Sequence, residues 1–149
     1  MLLVNIKRIM KIIIIGAVPS QKNSKIVGRN RYTGKTFVTS NERVKVWQQS
    51  AIAQLTSVKL KYRGRVQIDY MFYVKDNVQR DIDNMIASVN DILQVANSEY
   101  KLVNGKAKPV KGTGIIEGDH WQMLRIGSAD AAIDKENPRA ELIITELGE

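Results

Sequence analysis

The stretch from Arg65 to Val74 constrains this chain more than any other. Val66, Ile68, Tyr70, Phe72 and Val74 fall on one side of it, and Gln67, Asp69, Met71 and Tyr73 on the other. Because side chains alternate across a strand, this pattern predicts a long strand with one apolar face and one more polar face. A few residues later the period changes from two to that of a helix. Between Asp81 and Ala96, Ile82, Met85, Ile86, Val89, Ile92 and Leu93 form one apolar stripe, while Asp81, Asn84, Ser88 and Asp91 lie on the polar side. A half-apolar strand followed by an amphipathic helix requires a layered fold, in which each buries its apolar face against the other.

The remaining elements extend that frame. Lys11-Ile12-Ile13-Ile14-Ile15-Gly16 is a β-branched run of the kind found in a buried strand, and it is expected to be the first strand of the sheet. From Pro19 to Thr36 the chain is polar and reads as a loop or loose hairpin. Ser40 or Asn41 is placed to cap a helix to about Ser57, with Val44, Trp47, Ala51 and Leu55 at helical spacing and Ile52 widening the stripe. Tyr100 to Lys108 flanks Asn104-Gly105, a two-residue turn signal that predicts a protruding hairpin over about 99–110. Trp121 to Ile126 and Glu141 to Leu147 read as two further strands, separated by a polar loop with Gly127 and Pro138. The expected fold is α+β, an α/β sandwich of a mixed sheet covered by two helices. All 149 residues belong to a single domain.

Charge is distributed unevenly. Residues 1–63 hold 13 of the 23 Lys and Arg residues but one acid, Glu42, whereas the rest hold 14 of the 15 acids. Such a division suggests a surface for a polyanion beside a feature that needs carboxylates, although a solubilising basic face would give the same balance. The most basic segment is the early polar stretch, with Lys22, Lys25, Arg29, Arg31 and Lys35, and it is the leading candidate for contact with DNA phosphates. The chain has no cysteine, which excludes disulfides, thiolate metal sites and a catalytic thiol, and fits a reducing cytoplasm. Its opening residues are too interrupted by basic side chains to span a membrane or act as a signal. Met10 is a possible second start, which would make residues 1–9 dispensable.

Arg80-Asp81-Ile82-Asp83-Asn84 stands where the strand gives way to the helix. Residues two apart on a helix do not face each other, so the two carboxylates converge only if Asp81 keeps extended or cap geometry while Asp83 begins the first turn. Two close carboxylates repel unless one takes up a proton or a cation sits between them. A hard divalent ion ordinarily takes one or two carboxylates plus substrate phosphate, so the pair suits phosphoryl chemistry. The plainer alternative is that Asp81 caps the helix and Asp83 complements its dipole. A second acidic element, Gly114-Ile115-Ile116-Glu117-Gly118-Asp119, places Asp119 after a short apolar run as a candidate third carboxylate.

These elements together resemble the RusA family of Holliday-junction resolvases. The resemblance rests on Pro19-Ser20 followed by Asn23-Ser24 after the first strand, a capped helix, Arg-Asp-x-Asp-Asn opening the second helix, and the Gly-x-x-x-x-Asp segment ending at Asp119. It runs from about Lys11 to Glu146. It implies a RusA-like fold and Mg²⁺- or Mn²⁺-dependent endodeoxyribonuclease activity, with Asp81, Asp83 and Asp119 as catalytic, metal-binding aspartates. It also implies a homodimer acting on four-way DNA junctions by paired nicks, in recombination or repair. Arg80 joins the DNA-contacting set, with Asn84 and Lys75 in support. Two departures stand out. Family resolvases often carry a catalytic lysine four residues after the second aspartate of the motif, where this chain has Ala87. Lys75 or a lysine of the 101–111 segment is the candidate substitute. The hairpin near 99–110 looks like an insertion.

Ala87 keeps open a non-catalytic junction-binding protein, and the branched-DNA reading extends to a nuclease of broader flap or fork specificity. His120 follows Asp119 and invites a general-base role, but a strand there would point its side chain away from Asp119. Trp47 is expected in the core. Tyr32, within the basic stretch, is a candidate for stacking on a base. Glu117 and Asp91 are expected at the solvated surface or behind the metal ligands.

Overall fold

The computed structural model describes residues 7–20, 25–40, 42–94, 100–103, 106–109 and 112–148. In chain order the elements are β1 (Ile9–Ile15), β2 (Lys25–Arg29), β3 (Thr36–Ser40), α1 (Glu42–Leu55), β4 (Arg65–Val74), α2 (Ile82–Leu93), β5 (Tyr100–Val103), β6 (Lys106–Pro109), β7 (Leu124–Ile133) and β8 (Arg139–Gly148). Four of these form the main sheet, in the order β1-β8-β4-β7. β8 runs antiparallel to both β1 and β4, whereas β7 runs parallel to β4. A parallel neighbour cannot be reached through a tight turn, and the connection from β4 to β7 contains α2 and the β5–β6 hairpin. This is a mixed α+β fold, as the sequence predicts.

The core lies on the helix side of the sheet. Ile12 and Ile14 of β1, Ile68, Tyr70 and Phe72 of β4, and Ala140, Leu142 and Ile144 of β8 are buried there. They belong to the same cluster as Trp47, Ala51 and Leu55 of α1 and Met85, Val89, Ile92 and Leu93 of α2. Each large side chain so enclosed contributes about 1.5–3 kcal/mol of transfer free energy. The predicted stripe on α1 is met in full, while on α2 Ile82 is exposed and marks the end of the buried face. The expected cap of α1 at Ser40 or Asn41 involves side chains outside the described residues.

The other sheet face is open. The register aligns Ile13, Glu141 and Met71 in one row across it and Ile15, Arg139 and Tyr73 in the next. Ile9, Ile13, Ile15 and Ile143 are exposed, so β1 is an edge strand covered on one side and not the buried strand that its run of isoleucines suggests. Nor are residues 1–9 all idle, since Ile9 pairs with Thr145 and the Arg8 side chain bonds Glu146 at 2.8 Å.

Arg139 organises part of this open face. Its guanidinium contacts Asp134 at 2.8 Å and Glu141 at 2.9 Å, and lies 3.8 Å from the centre of the Tyr73 ring. Lys11 adds a second ion pair to Glu141 at 2.8 Å. Lys11 and Arg139 hold Glu141 below the usual carboxylate range, and Arg139 does the same for Asp134. A carboxylate whose folded pKa is depressed contributes stability that is complete above its unfolded pKa and is lost as pH falls through the folded value. Urea midpoints measured from about pH 5 down to about pH 3 are therefore expected to fall less steeply in an Asp134→Asn, Glu141→Gln double variant than in the parent chain. Parallel acid limbs would assign the acid sensitivity to other groups.

The largest departure from the sequence-based expectation is at β7. Trp121 to Met123 form a turn instead of a strand, and the strand runs from Leu124 through Gly127 to Ile133. Gly127 was expected to mark a loop. It marks instead a register shift in the pairing with β4, where the Asp69 carboxylate accepts bonds from the Ser128 backbone N–H at 2.8 Å and the Ser128 hydroxyl at 3.0 Å. A Cβ at Gly127 would stand 2.2 Å from Asp69 Oδ1. Gly127→Ala should lower stability by about 1–3 kcal/mol, as overpacking does elsewhere. A urea midpoint equal to that of the parent would mean that Asp69 moves aside freely.

Candidate functional site

The strand-to-helix turn is built by its own side chains. After β4 ends at Val74, Arg80 reaches back over the loop, with Nη2 donating to Asp76 Oδ1 at 2.6 Å and Nη1 to the Val78 carbonyl oxygen at 2.9 Å. Asp76 Oδ1 also accepts the Val78 N–H at 3.1 Å, and the Arg80 contact lowers the Asp76 pKa. Arg80 thus clasps the turn that presents the motif, a different task from the DNA contact implied by the resemblance.

Asp81 sits at the N-cap of α2 with φ −77° and ψ 117°, and its carbonyl oxygen accepts the Met85 N–H at 3.2 Å. Its side chain makes no capping hydrogen bond and receives a long 3.4 Å contact from the Asn84 amide. Asp83 lies in the first turn, and its Oδ1 accepts the Asn84 N–H at 2.9 Å. Extended backbone at the first aspartate and helical backbone at the second is the combination that convergence of the two carboxylates requires. Both side chains are exposed. The Asp81 carboxylate thus accepts no first-turn N–H, and its remaining contribution to the helix is its charge at the positive end of the dipole.

Asp119 approaches α2 from the far end of the chain. Ile116 pairs with Gln94 in an isolated bridge, and the Ile116 N–H bonds the Leu93 carbonyl oxygen at 3.0 Å. These contacts bring the segment against the end of α2, after which Asp119 is exposed in a bend. Tyr70 of β4 and Asn90 of α2 share a short buried hydrogen bond through the tyrosine hydroxyl. Burial, opposed by the Asn90 bond and reinforced by the charge of Asp119, pushes the Tyr70 hydroxyl far above its usual range, so it remains a neutral donor. Among the described residues, no three acidic or histidine side chains are gathered as a metal-holding group, so Asp119 does not join Asp81 and Asp83 in a ready-made cluster. His120 lies in a bend before the turn at 121–123, not in a strand, and its ring lies against Gly118.

Ser88 and Pro19 connect the basic stretch to this helix. Ser88 Oγ lies 3.0 Å from the Pro19 carbonyl oxygen and 3.0 Å from that of Asn84. The chain then leaves α2 and forms the antiparallel β2–β3 pair, returning at the start of α1. At the tip, Asn30 Oδ1 accepts the N–H groups of Tyr32 at 2.8 Å and Thr33 at 3.1 Å, while Arg29 Nε donates to the Gly34 carbonyl oxygen at 3.1 Å. Arg29, Arg31, Tyr32 and Lys35 are exposed on this hairpin. Lys22 lies outside the described residues, as does the side chain of Lys25. Between the roots of the hairpin and the β4–α2 turn runs an open groove, lined by Pro19, Ser20, Arg43, Lys75, Val78 and Arg80 among others. Ala87, in place of the expected lysine, is half-buried on α2, and Lys75 is exposed in the groove.

Sequence reasoning missed the Tyr70–Asn90 pair. In the sequence pattern Tyr70 falls on the apolar side of its strand, and the signal for the pair is Asn90, a polar residue on the buried side of an amphipathic helix that needs a partner. No helix among the described residues is long and apolar enough to cross a membrane. Compared with known proteins, the chain matches no protein-family model and no curated protein.

Proposed function

We propose that this chain is a metal-dependent endodeoxyribonuclease acting on branched DNA, with four-way junctions as the leading substrate. The observation that carries the reading is the Asp81 carboxylate, which is exposed at a helix N-terminus beside Asp83, does no capping work, and stands next to a groove containing Arg43 and Lys75. Two oxygen-donor side chains fit Mg²⁺ or Mn²⁺, which ordinarily takes one or two carboxylates and leaves the remaining positions to water and substrate phosphate. When bound, the ion supplies charge neutralisation at the phosphate and an activated water. In this reading Asp81 and Asp83 hold the ion, and Asp119, not gathered with them among the described residues, is the candidate third carboxylate. Arg80 keeps the turn in shape, while Lys75, exposed in the groove, is the candidate to offset phosphate charge in place of the family lysine. The exposed Arg29, Arg31 and Lys35, with Lys22 and Lys25, bind the DNA backbone. A homodimer would present two such sites to a junction of approximate two-fold symmetry.

Incubation of the purified chain with a synthetic four-way junction and Mg²⁺ tests the proposal, with flap and linear duplex substrates in competition. Metal-dependent nicking of the junction in preference to duplex is the expected result. Ala87, in place of the family lysine, favours a second reading, a junction-binding protein without catalysis. That reading predicts tight, metal-independent junction binding and no nicks.

A further inference from the structure

The main sheet has two edges, and they are finished differently. At β1 the outward N–H of Ile15 is accepted by Gln54 Oε1 at 2.8 Å, and Gln54 Nε2 donates to the Ile15 carbonyl oxygen at 2.9 Å. A side chain of α1 thus occupies the place that a further strand would take. β7, at the other edge, pairs with β4 on one side and with nothing on the other among the described residues. Every residue from Arg125 to Ile133 is exposed, and the run contains neither proline nor lysine. An edge of that length, with its backbone N–H and carbonyl groups open, is a template for another strand.

The side chains of β7 are arranged symmetrically about its register shift. Ile126 lies beside Ile68 and Ala129 beside Tyr70, so both face the helix side, and the two residues between them stand opposite the single residue Asp69. Residues five apart in a regular strand face opposite ways. The extra residue corrects this, placing Arg125, beside Gln67, and Asp130, beside Met71, on the same open face. Neither has an ion-pair partner among the described residues.

We infer that β7 pairs antiparallel with β7 of a second copy of this chain, about a two-fold axis through Gly127 and Ser128. In that register Arg125 of each copy faces Asp130 of the other, and Ile126 faces Ala129. One strand meeting itself thereby supplies two opposite-charge pairs and two apolar pairs, the self-complementarity that a two-fold contact requires. A strand of a different protein would have to carry the same charges in the same order. The axis is normal to the sheet, so both helix layers stay on one side of a continuous eight-stranded sheet, with the two Asp81–Asp83 turns toward its opposite ends. The pairing supplies a surface for the homodimer of the nuclease reading, yet it rests on the sheet edge alone.

Sedimentation equilibrium of the full chain, without DNA or metal, tests the pairing over about 1–200 µM, a range suited to an interface at the small end of stable contacts. The parent is expected to pass from monomer to dimer in that range. Arg125→Glu sets like charges opposite each other at both ends and should weaken association about tenfold, as should Asp130→Arg. The two substitutions together should restore it to within about threefold of the parent, which also excludes a folding defect as the cause of the single losses. Amide exchange in β7 should slow as concentration rises, while that in β1 stays unchanged. A parent that remains monomeric, a dimer indifferent to Arg125→Glu, a double variant that does not re-associate, or protection that rises in β1 and not in β7 would each overturn the inference. None of these outcomes decides cleavage, which the junction assay measures separately.

Discussion

Asparagine in place of Asp81 or Asp83 is expected to lower Mg²⁺-dependent cleavage of a synthetic four-way junction at least about 100-fold, the effect of losing several kcal/mol of metal-derived stabilisation in the transition state. The same substitutions should barely change the urea midpoint. Asp81 makes no capping bond, and asparagine is as good an N-cap residue as aspartate, so stability gives Asp81→Asn little to lose. Asp83→Asn forfeits only a favourable charge in the first turn, worth about 0.3–1 kcal/mol. The opposite pattern, full cleavage with measurable destabilisation, would mean that the aspartates serve the helix and not a cation. Asp119→Asn belongs in the same series, because no three-carboxylate group is gathered among the described residues. Cleavage reduced as strongly as in the other two would place its carboxylate in the working site, and unimpaired cleavage would confine it to the neighbourhood of Tyr70. Calorimetry with Mg²⁺ and Mn²⁺, without DNA, provides the binding counterpart.

Two neighbouring aromatics on β4 should behave very differently. Phe72→Ala is expected to cost about 3–5 kcal/mol, near the upper end for a single substitution, because the ring is enclosed between the sheet and the helices and nothing can close the space it leaves. It also lies in stacked orientation 6.0 Å from Tyr70, whose hydroxyl holds Asn90. Tyr73→Ala, one residue along, removes a ring from the open face and exposes Arg139 to water, with its ion pairs to Asp134 and Glu141 still available. About 1 kcal/mol is the expected loss there. Denaturant midpoints with equal slopes would show the contrast directly. Comparable losses at both positions would indicate that the open face is covered in solution, as a homodimer using that face would require.

Much of the fold was legible because it depends on local period. The alternation in β4 and the helical recurrence in α1 and α2 arise from backbone geometry acting over short stretches, and the elements stand where those patterns lie. The backbone switch at Asp81 and Asp83 was legible for the same reason, since it follows from a strand giving way to a helix. β7 was not legible. Only Leu124 among its ten residues is buried, so it has no apolar alternation to read, and its Gly127 imitates a turn signal while serving a register shift around Asp69. β1 was misjudged in the converse way, because a run of isoleucines does not record whether one face or both will be covered.

Taken alone, the amino-acid order determined where strands and helices form, which side of each is apolar, and that two aspartates share a strand-to-helix turn. These are properties of neighbours along the chain, governed by backbone period and side-chain chemistry. Only the tertiary structure decided that Arg80 is spent on its own loop, that Tyr70 finds Asn90 and feels Asp119, and that Trp47 is left with an unanswered N–H beside Gly16. Each of those depends on which distant segments meet. Hydrogen bonding and desolvation act through space at a few ångströms, and sequence separation does not encode that distance.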